Sequence, residues 1–197
     1  MLTEGKRKEQ VTKLLKKVRD KIKNEPKVHK QWEWIRTQKE GGIGSVCTLN
    51  KLKKYDCKTP CCFAGHIAYE ARFHFPALYK SSSLNQGDGI ELVAKKIVKG
   101  YSDRLWSELT AGDFGGVDGK KGQVNVYVDI LDLMAKKRSD RYIINHLLEF
   151  HLDSLSNEHI ENLNYILTND VPNNPKDTGD IHDDFCDEDE DDDGDSF

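Results

Sequence analysis

With 197 residues, 37% of them apolar and 32% charged, the chain is long enough for one ordinary domain, alone or with a tail. It has no run of about 18 apolar residues, and the opening MLTEGKRKEQ lacks the apolar core of a signal peptide, which argues against a membrane protein and against secretion. Five cysteines, an odd number with four between Cys47 and Cys62, favour free thiols in a reducing cytoplasm over a disulfide framework.

The first predicted element is a cationic amphipathic helix over residues 8–24. Its apolar residues recur at helical spacing, and lysine and arginine occupy the rest of its surface. Pro26 is expected to end it. The following segment, KVHKQWEWIRTQKE, carries Trp32 and Trp34 two residues apart and predicts a short strand or an irregular packing segment.

The most distinctive stretch is CKTPCCFAGHIAYEA, residues 57–71. Thr59 is predicted to be the N-cap of a helix, with Pro60 at the first helical position. Small side chains follow and would let a second helix approach closely, so we expect this helix to be central. These small residues are Cys61, Cys62, Ala64, Gly65 and Ala68.

Five further helices are predicted in the second half of the chain. No alternating pattern that would build a sheet and no internal repeat is present. The predicted fold class is therefore all-α: a single compact domain of about seven helices over residues 1–170, followed by a disordered acidic tail over residues 171–197. The five helices are predicted at 90–99, from Ser102, at about 124–137, at 140–151, and from Ser156.

The central stretch resembles a small domain of bacteriophage and bacterial proteins of unknown function, marked by a Cys-Gly-Thr-x-x-Cys-x-Ala-Gly-(His or Trp)-Ala helix start. The resemblance extends over roughly residues 8–150 and implies a similar helical fold and a phage origin, with the host cytoplasm as location, but no activity. Lys58 stands where the pattern has Gly, and Ile67 where it has Ala. The matching residues are Cys57, Thr59, Cys62, Ala64, Gly65 and His66.

The cysteine stretch allows a metal or catalytic interpretation and a structural one. Zinc needs four ligands, usually as two close pairs. Cys57, Cys61, Cys62 and His66 form a single cluster, so the fourth ligand of a zinc site would have to be Cys47 or a second thiol nearby. A Cys62, His66 and Glu70 series on one helix gives poor geometry between nucleophile and base. We therefore expect buried thiols, a structural motif of Cys57, Cys61, Cys62, Gly65 and His66, no metal or cofactor, and a pairing of His66 with Glu70.

The basic front of the chain suggests a nucleic-acid site. Residues 1–58 carry 17 basic and 7 acidic side chains. Cations neutralise phosphates and aromatic rings stack on bases, so single-stranded DNA or another polyanion is the expected partner. The alternative is a solvated helix face beside two core tryptophans. The candidate residues are Lys13, Lys16, Lys17, Arg19, Lys21, Lys23, Lys30, Trp32, Trp34 and Arg36.

The acidic tail is the second functional signal. Residues 176–197 carry twelve acidic side chains against one lysine, a local charge of -11. Such a run is typical of disorder. It also resembles the acidic, Phe-ending tails of single-stranded-DNA-binding proteins, which implies an aromatic anchor for a partner protein. The candidate partner-binding residues are Phe185, Asp191, Asp192, Asp193, Asp195 and Phe197.

Together these patterns predict a non-enzymatic, phage-type protein of nucleic-acid metabolism. Its basic body would bind single-stranded DNA, and its tail would recruit replication or repair partners and occupy the basic face when no DNA is bound. The alternative is a module that inhibits a host factor, with the tail imitating DNA.

Overall fold

A computed structural model describes residues 2–29, 62–84, 89–111, 114 and 121–169. Within these ranges the chain forms eight α-helices and two 3₁₀ turns, at Pro26–Val28 and Leu152–Ser154, and no β-strand, which confirms the predicted all-α class. The helices are α1 Glu4–Asn24, α2 Phe63–His74, α3 Pro76–Lys80, α4 Ile90–Val98, α5 Asp103–Thr110, α6 Lys121–Ala135, α7 Asp140–Phe150 and α8 Asn157–Asn169. The segment with both tryptophans and the acidic tail lie outside the described residues.

Side-chain caps fix where several helices begin. The hydroxyls of Thr3, Ser102 and Ser139 accept backbone N–H groups at the first turns of α1, α5 and α7. The predicted start of α2 at Pro60 was wrong: the helix begins at Phe63, because the Cys62 thiol accepts the Gly65 N–H and acts as the cap. Among the helices described, α3 was not predicted.

The core forms where α1, α2 and α6 meet. Helix α1 packs most extensively on α6 and also contacts α2, while α2 packs on α4. Four residues of the apolar stripe of α1 are fully buried, Leu14, Leu15, Val18 and Ile22, and Val11 is partly buried. Eight of the twelve residues of α2 are buried. Small residues on α2 permit this close packing. The largest buried side chains form an aromatic group of Phe63, Trp106, Phe114 and Tyr127.

A buried arginine joins α1 to the end of α4. The Arg7 guanidinium donates to the hydroxyls of Ser81 and Ser82 and to the carbonyls of Lys96 and Ile97, at 2.8–3.3 Å. Those carbonyls belong to the last turn of α4, where no intrahelical donor remains for them. Arg7 therefore supplies hydrogen-bond donors to the last turn of α4 and joins α1 to that helix. None of the helices in the described ranges is long and apolar enough to cross a membrane.

Candidate nucleic-acid interface

The cationic helix α1 forms a ridge between two grooves. Nine basic and three acidic side chains occur within Glu4–Asn24. Its apolar stripe packs into the core, so most of these cations point towards solvent. The described members of the predicted nucleic-acid set divide between the two sides of this ridge. One groove is lined by Lys13, Lys16, Lys17 and Lys21, and the other by Arg19 and Lys23.

The first groove, between α1 and α2, has a volume of about 590 Å³. Glu70 of α2 lies at its floor, and only 3% of its side chain is exposed. The Lys21 ammonium lies 3.0 Å from one carboxylate oxygen of Glu70, and the Lys17 ammonium lies 3.9 Å from the other. Lys16 has no carboxylate partner in the part of the chain that the structure describes. The α1–α2 groove therefore presents Lys16 and the partly exposed Lys13 and Lys17 above a buried ion pair.

The second groove, between α1 and the α6–α7 corner, has a volume of about 360 Å³. Arg19 pairs with both Asp20 and Asp132. Lys23 has no carboxylate partner among the described residues and is exposed. Two further cations line this α1–α6 groove and were not predicted, although the basic run after α6 could have indicated them. They are Lys136 and Arg138.

Four residues of the predicted set lie outside the described residues, and so does the whole candidate tail. For them the interpretation stays a prediction. The four are Lys30, Trp32, Trp34 and Arg36. The tail candidates are Phe185, Asp191, Asp192, Asp193, Asp195 and Phe197.

The described part of the cysteine motif is buried. Burial raises the pKa of the Cys62 thiol to about 12, which disfavours the thiolate that nucleophilic chemistry requires. Gly65 and His66 are also buried. Glu70 pairs with Lys17, Lys21 and His74, so the predicted pairing with His66 was wrong. Cys57 and Cys61 lie outside the described residues.

Two buried histidine pairs were missed by the sequence analysis. The ring of His29 lies 5.7 Å from that of His66 and 4.7 Å from that of Tyr127. Burial lowers the pKa of His29 to about 4.

The second pair, His146 and His151, also has ring centroids 5.7 Å apart and shares the carboxylate of Asp129. Burial would raise the pKa of Asp129, but its contacts with these two histidines outweigh burial and lower that pKa to about 2. We call Asp129, His146 and His151 the histidine–aspartate cluster.

Comparison with known proteins adds no relative. No protein-family model matches the chain, and neither the curated proteins nor the solved structures gave a match. The resemblance to the phage domain, over roughly residues 8–150, therefore stays a prediction.

Proposed function

We propose that this protein is a non-enzymatic binding protein for single-stranded DNA, with α1 as the principal contact surface. The observation that supports this proposal is the cationic ridge of α1, which stands between two grooves lined by further cations. Ammonium groups that neutralise phosphates release counterions from the DNA, and this release favours binding. Because the groups of α1 are already arranged on a helix, no flexible segment has to be ordered first.

Individual cations on this ridge contribute unequally. Lys16 and Lys23 are exposed and have no carboxylate partner within the described residues, so a phosphate meets no competing anion there. Lys21 and Arg19 are held by Glu70 and Asp132 in partly buried ion pairs. Breaking such a pair leaves an uncompensated charge. We therefore assign phosphate binding to Lys16 and Lys23 first, with Lys13 and Lys17 as neighbours.

The acidic tail regulates this surface in the proposed function. Its local charge of -11 is opposite to the +7 that remains on residues 1–175. Because the tail is tethered, its effective concentration at the ridge is of the order of millimolar. It would occupy the ridge when DNA is absent and be released for a replication or repair partner when DNA binds.

The ridge is tested by measuring affinity for a single-stranded oligonucleotide across a salt series. Substituting Lys16→Gln together with Lys23→Gln should weaken binding and lower the slope of log affinity against log salt by about 0.7 per lost phosphate contact. The matched control, Lys80→Gln with Lys99→Gln, removes the same charge from exposed positions off the ridge. Equal losses in both double variants would contradict a specific surface on α1.

The tail is tested by deleting residues 176–197. Affinity for single-stranded DNA should rise, and most at low salt. At 0.1 M, salt screens exposed charges that are more than about 10 Å apart, so the tail competes less well for the ridge as salt increases. Phe197→Ala is the control, since it removes an apolar side chain and no side-chain charge. If the truncated chain fails to bind DNA at low salt, the proposed function is wrong. Inhibition of a host factor by a DNA-mimicking tail then becomes the better hypothesis.

A further inference from the structure

The histidine–aspartate cluster brings three potential metal ligands together from separate parts of the chain. Asp129 lies on α6, His146 lies on α7, and His151 is the C-cap of α7. The Nε2 atom of His151 lies 2.7 Å from Asp129 Oδ2, and the Nε2 atom of His146 lies 3.8 Å from the same oxygen. One donor atom from each residue falls within 4.8 Å of the other two. In the described residues this is the only such group of three.

A buried nitrogen in this cluster has no hydrogen bond. Only 7% of the His146 side chain is exposed, and its Nε2 has no hydrogen-bond partner in the part of the chain that the structure describes. The Asp129 Oδ2 atom, at 3.8 Å, is beyond hydrogen-bonding range. Buried polar atoms are nearly always satisfied, because leaving one without a partner costs free energy. A ligand located between His146, His151 and Asp129 would remove this cost.

The donor set and its spacing fit a divalent metal ion of the zinc class. Two imidazole nitrogens and one carboxylate oxygen are common zinc ligands, with bonds of about 2.0–2.2 Å. Tetrahedral geometry at those lengths separates neighbouring ligand atoms by about 3.4 Å. The observed separations of 2.7 and 3.8 Å lie on either side of that value. All three donor atoms lie within 4.8 Å of one another, so none has to approach another by more than about 1.4 Å to reach that geometry.

The surroundings leave room for a fourth ligand. Asp129 and His146 both line the α1–α6 groove, which is open to solvent. Water or an anion can reach a metal ion from this side, and Lys23 and Lys136 on the same groove would favour an anion. The Phe150 ring packs against that of His146, with the two ring centroids 4.7 Å apart.

We propose that Asp129, His146 and His151 bind one divalent transition-metal ion, Zn²⁺ being the reference ion, with the fourth position open to the α1–α6 groove. A metal ion binds the unprotonated Nε2 of His151, so the single proton of that neutral ring lies on Nδ1 in the bound state, and the ion gives Nε2 of His146 its missing partner. This site is separate from the cysteine stretch and goes beyond the proposed binding of DNA.

The decisive experiment is a Zn²⁺ titration of the full chain, followed by the imidazole ¹⁵N resonances of its histidines. The ring signals of His146 and His151 should shift together and reach a plateau at one equivalent. If zinc binds while these two signals stay unchanged, the cysteines hold it and the proposal is wrong. Shifts spread over all the histidines without a plateau would equally contradict it. Cobalt(II) provides a second readout, because a nitrogen and oxygen site shows no thiolate-to-metal charge-transfer band.

Substitutions in the histidine–aspartate cluster test whether its residues bind the metal ion. Asp129→Asn and His146→Gln should each weaken Zn²⁺ binding at least as much as the roughly 10–100-fold that loss of a supporting residue costs. His74→Gln is the matched control, since His74 is a half-exposed histidine on α2 that also faces a carboxylate. Unchanged affinity in both cluster variants would overturn the proposal. If a variant loses its helical circular dichroism, the ¹⁵N titration of the wild-type chain still decides the question.

Discussion

Two pairs of histidines occupy the interior at the same ring separation of 5.7 Å, yet their neighbours differ. In the first pair, His29 stacks on His66 and also contacts the aromatic ring of Tyr127. His146 and His151 face Asp129. Burial is the cause of the low pKa of His29, whereas contacts with two imidazoles lower the pKa of Asp129. The carboxylate of Asp129 thus distinguishes the two pairs. The first pair is suited to packing, and the second is suited to holding a charge or a metal ion.

Acidification should break the first pair and has the largest expected effect. The pKa of His29 falls from 6.5 to about 4 on burial, so the unfolded chain binds a proton more readily over that range. The stability that depends on neutral His29 is fully present above pH 6.5 and is lost as the pH falls towards 4, by roughly 3 kcal/mol in the free energy of unfolding. Urea unfolding near neutral pH and near pH 4 measures this loss.

His29→Phe separates this titration from the general protonation of carboxylates. The variant keeps a ring against Tyr127 and removes the titrating group, so its loss of stability with acid should be smaller. His74→Gln, at a half-exposed histidine, should behave like the wild type. Parallel acid curves for the wild type and His29→Phe would show that His29 is not the responsible group.

Removing the Tyr127 hydroxyl beside the first pair should have an intermediate effect on stability. That hydroxyl donates to the carbonyl of Leu109 at 3.0 Å and lies 3.4 Å from the carbonyl of Phe114. Tyr127→Phe should lower the free energy of unfolding by roughly 1.5 kcal/mol, the upper end of the net value of a hydrogen bond. Because the ring remains, the pKa of His29 measured by NMR should stay low. A rise of that pKa towards 6.5 would mean that the hydroxyl, and not burial, sets it.

Asp129→Asn would make the second pair resemble the first and should have the smallest effect. With metal removed by a chelator, the loss should be about 1 kcal/mol, since the charge-assisted bond to His151 weakens but the carboxylate is 43% exposed and screened by water. Thermal unfolding measures the change. Asp20→Asn, at an exposed carboxylate paired with Arg19, is the control and should have almost no effect. An equal loss in the two variants would contradict a special role for Asp129.

Local patterns were sufficient to predict most helices. Ile90, Val93 and Ile97 recur at helical spacing within the helix predicted at 90–99, and all three are buried. Ser102 was correctly predicted as a cap because a hydroxyl one residue before a helix is a strong local signal. Helix α3 was missed because five residues are too few for a periodic pattern. Cys62 was missed as a cap because a thiol is a weak acceptor.

The candidate sites depend on packing that local patterns do not contain. Asp129 precedes His146 by seventeen residues, and they meet only because α6 and α7 pack against each other. The cations of α1 were predicted from composition alone. Their division between two grooves was not, since it depends on which neighbour covers each side of the helix. Glu70 was assigned to the wrong partner for the same reason: its lysine partners lie about fifty residues earlier in the chain.

The docking of α1 onto α6 has a consequence for the chain during its synthesis. Arg19 pairs with Asp132, 113 residues later, and the Thr12 hydroxyl contacts the carbonyl of Ala135, 123 residues later. At elongation rates of about 5–20 residues per second, α1 waits on the order of 10 s for this partner to be made. Throughout that interval its apolar stripe has no α6 to cover it. The nascent chain therefore carries the apolar residues of α1 without their α6 partner until residues 121–135 have been made.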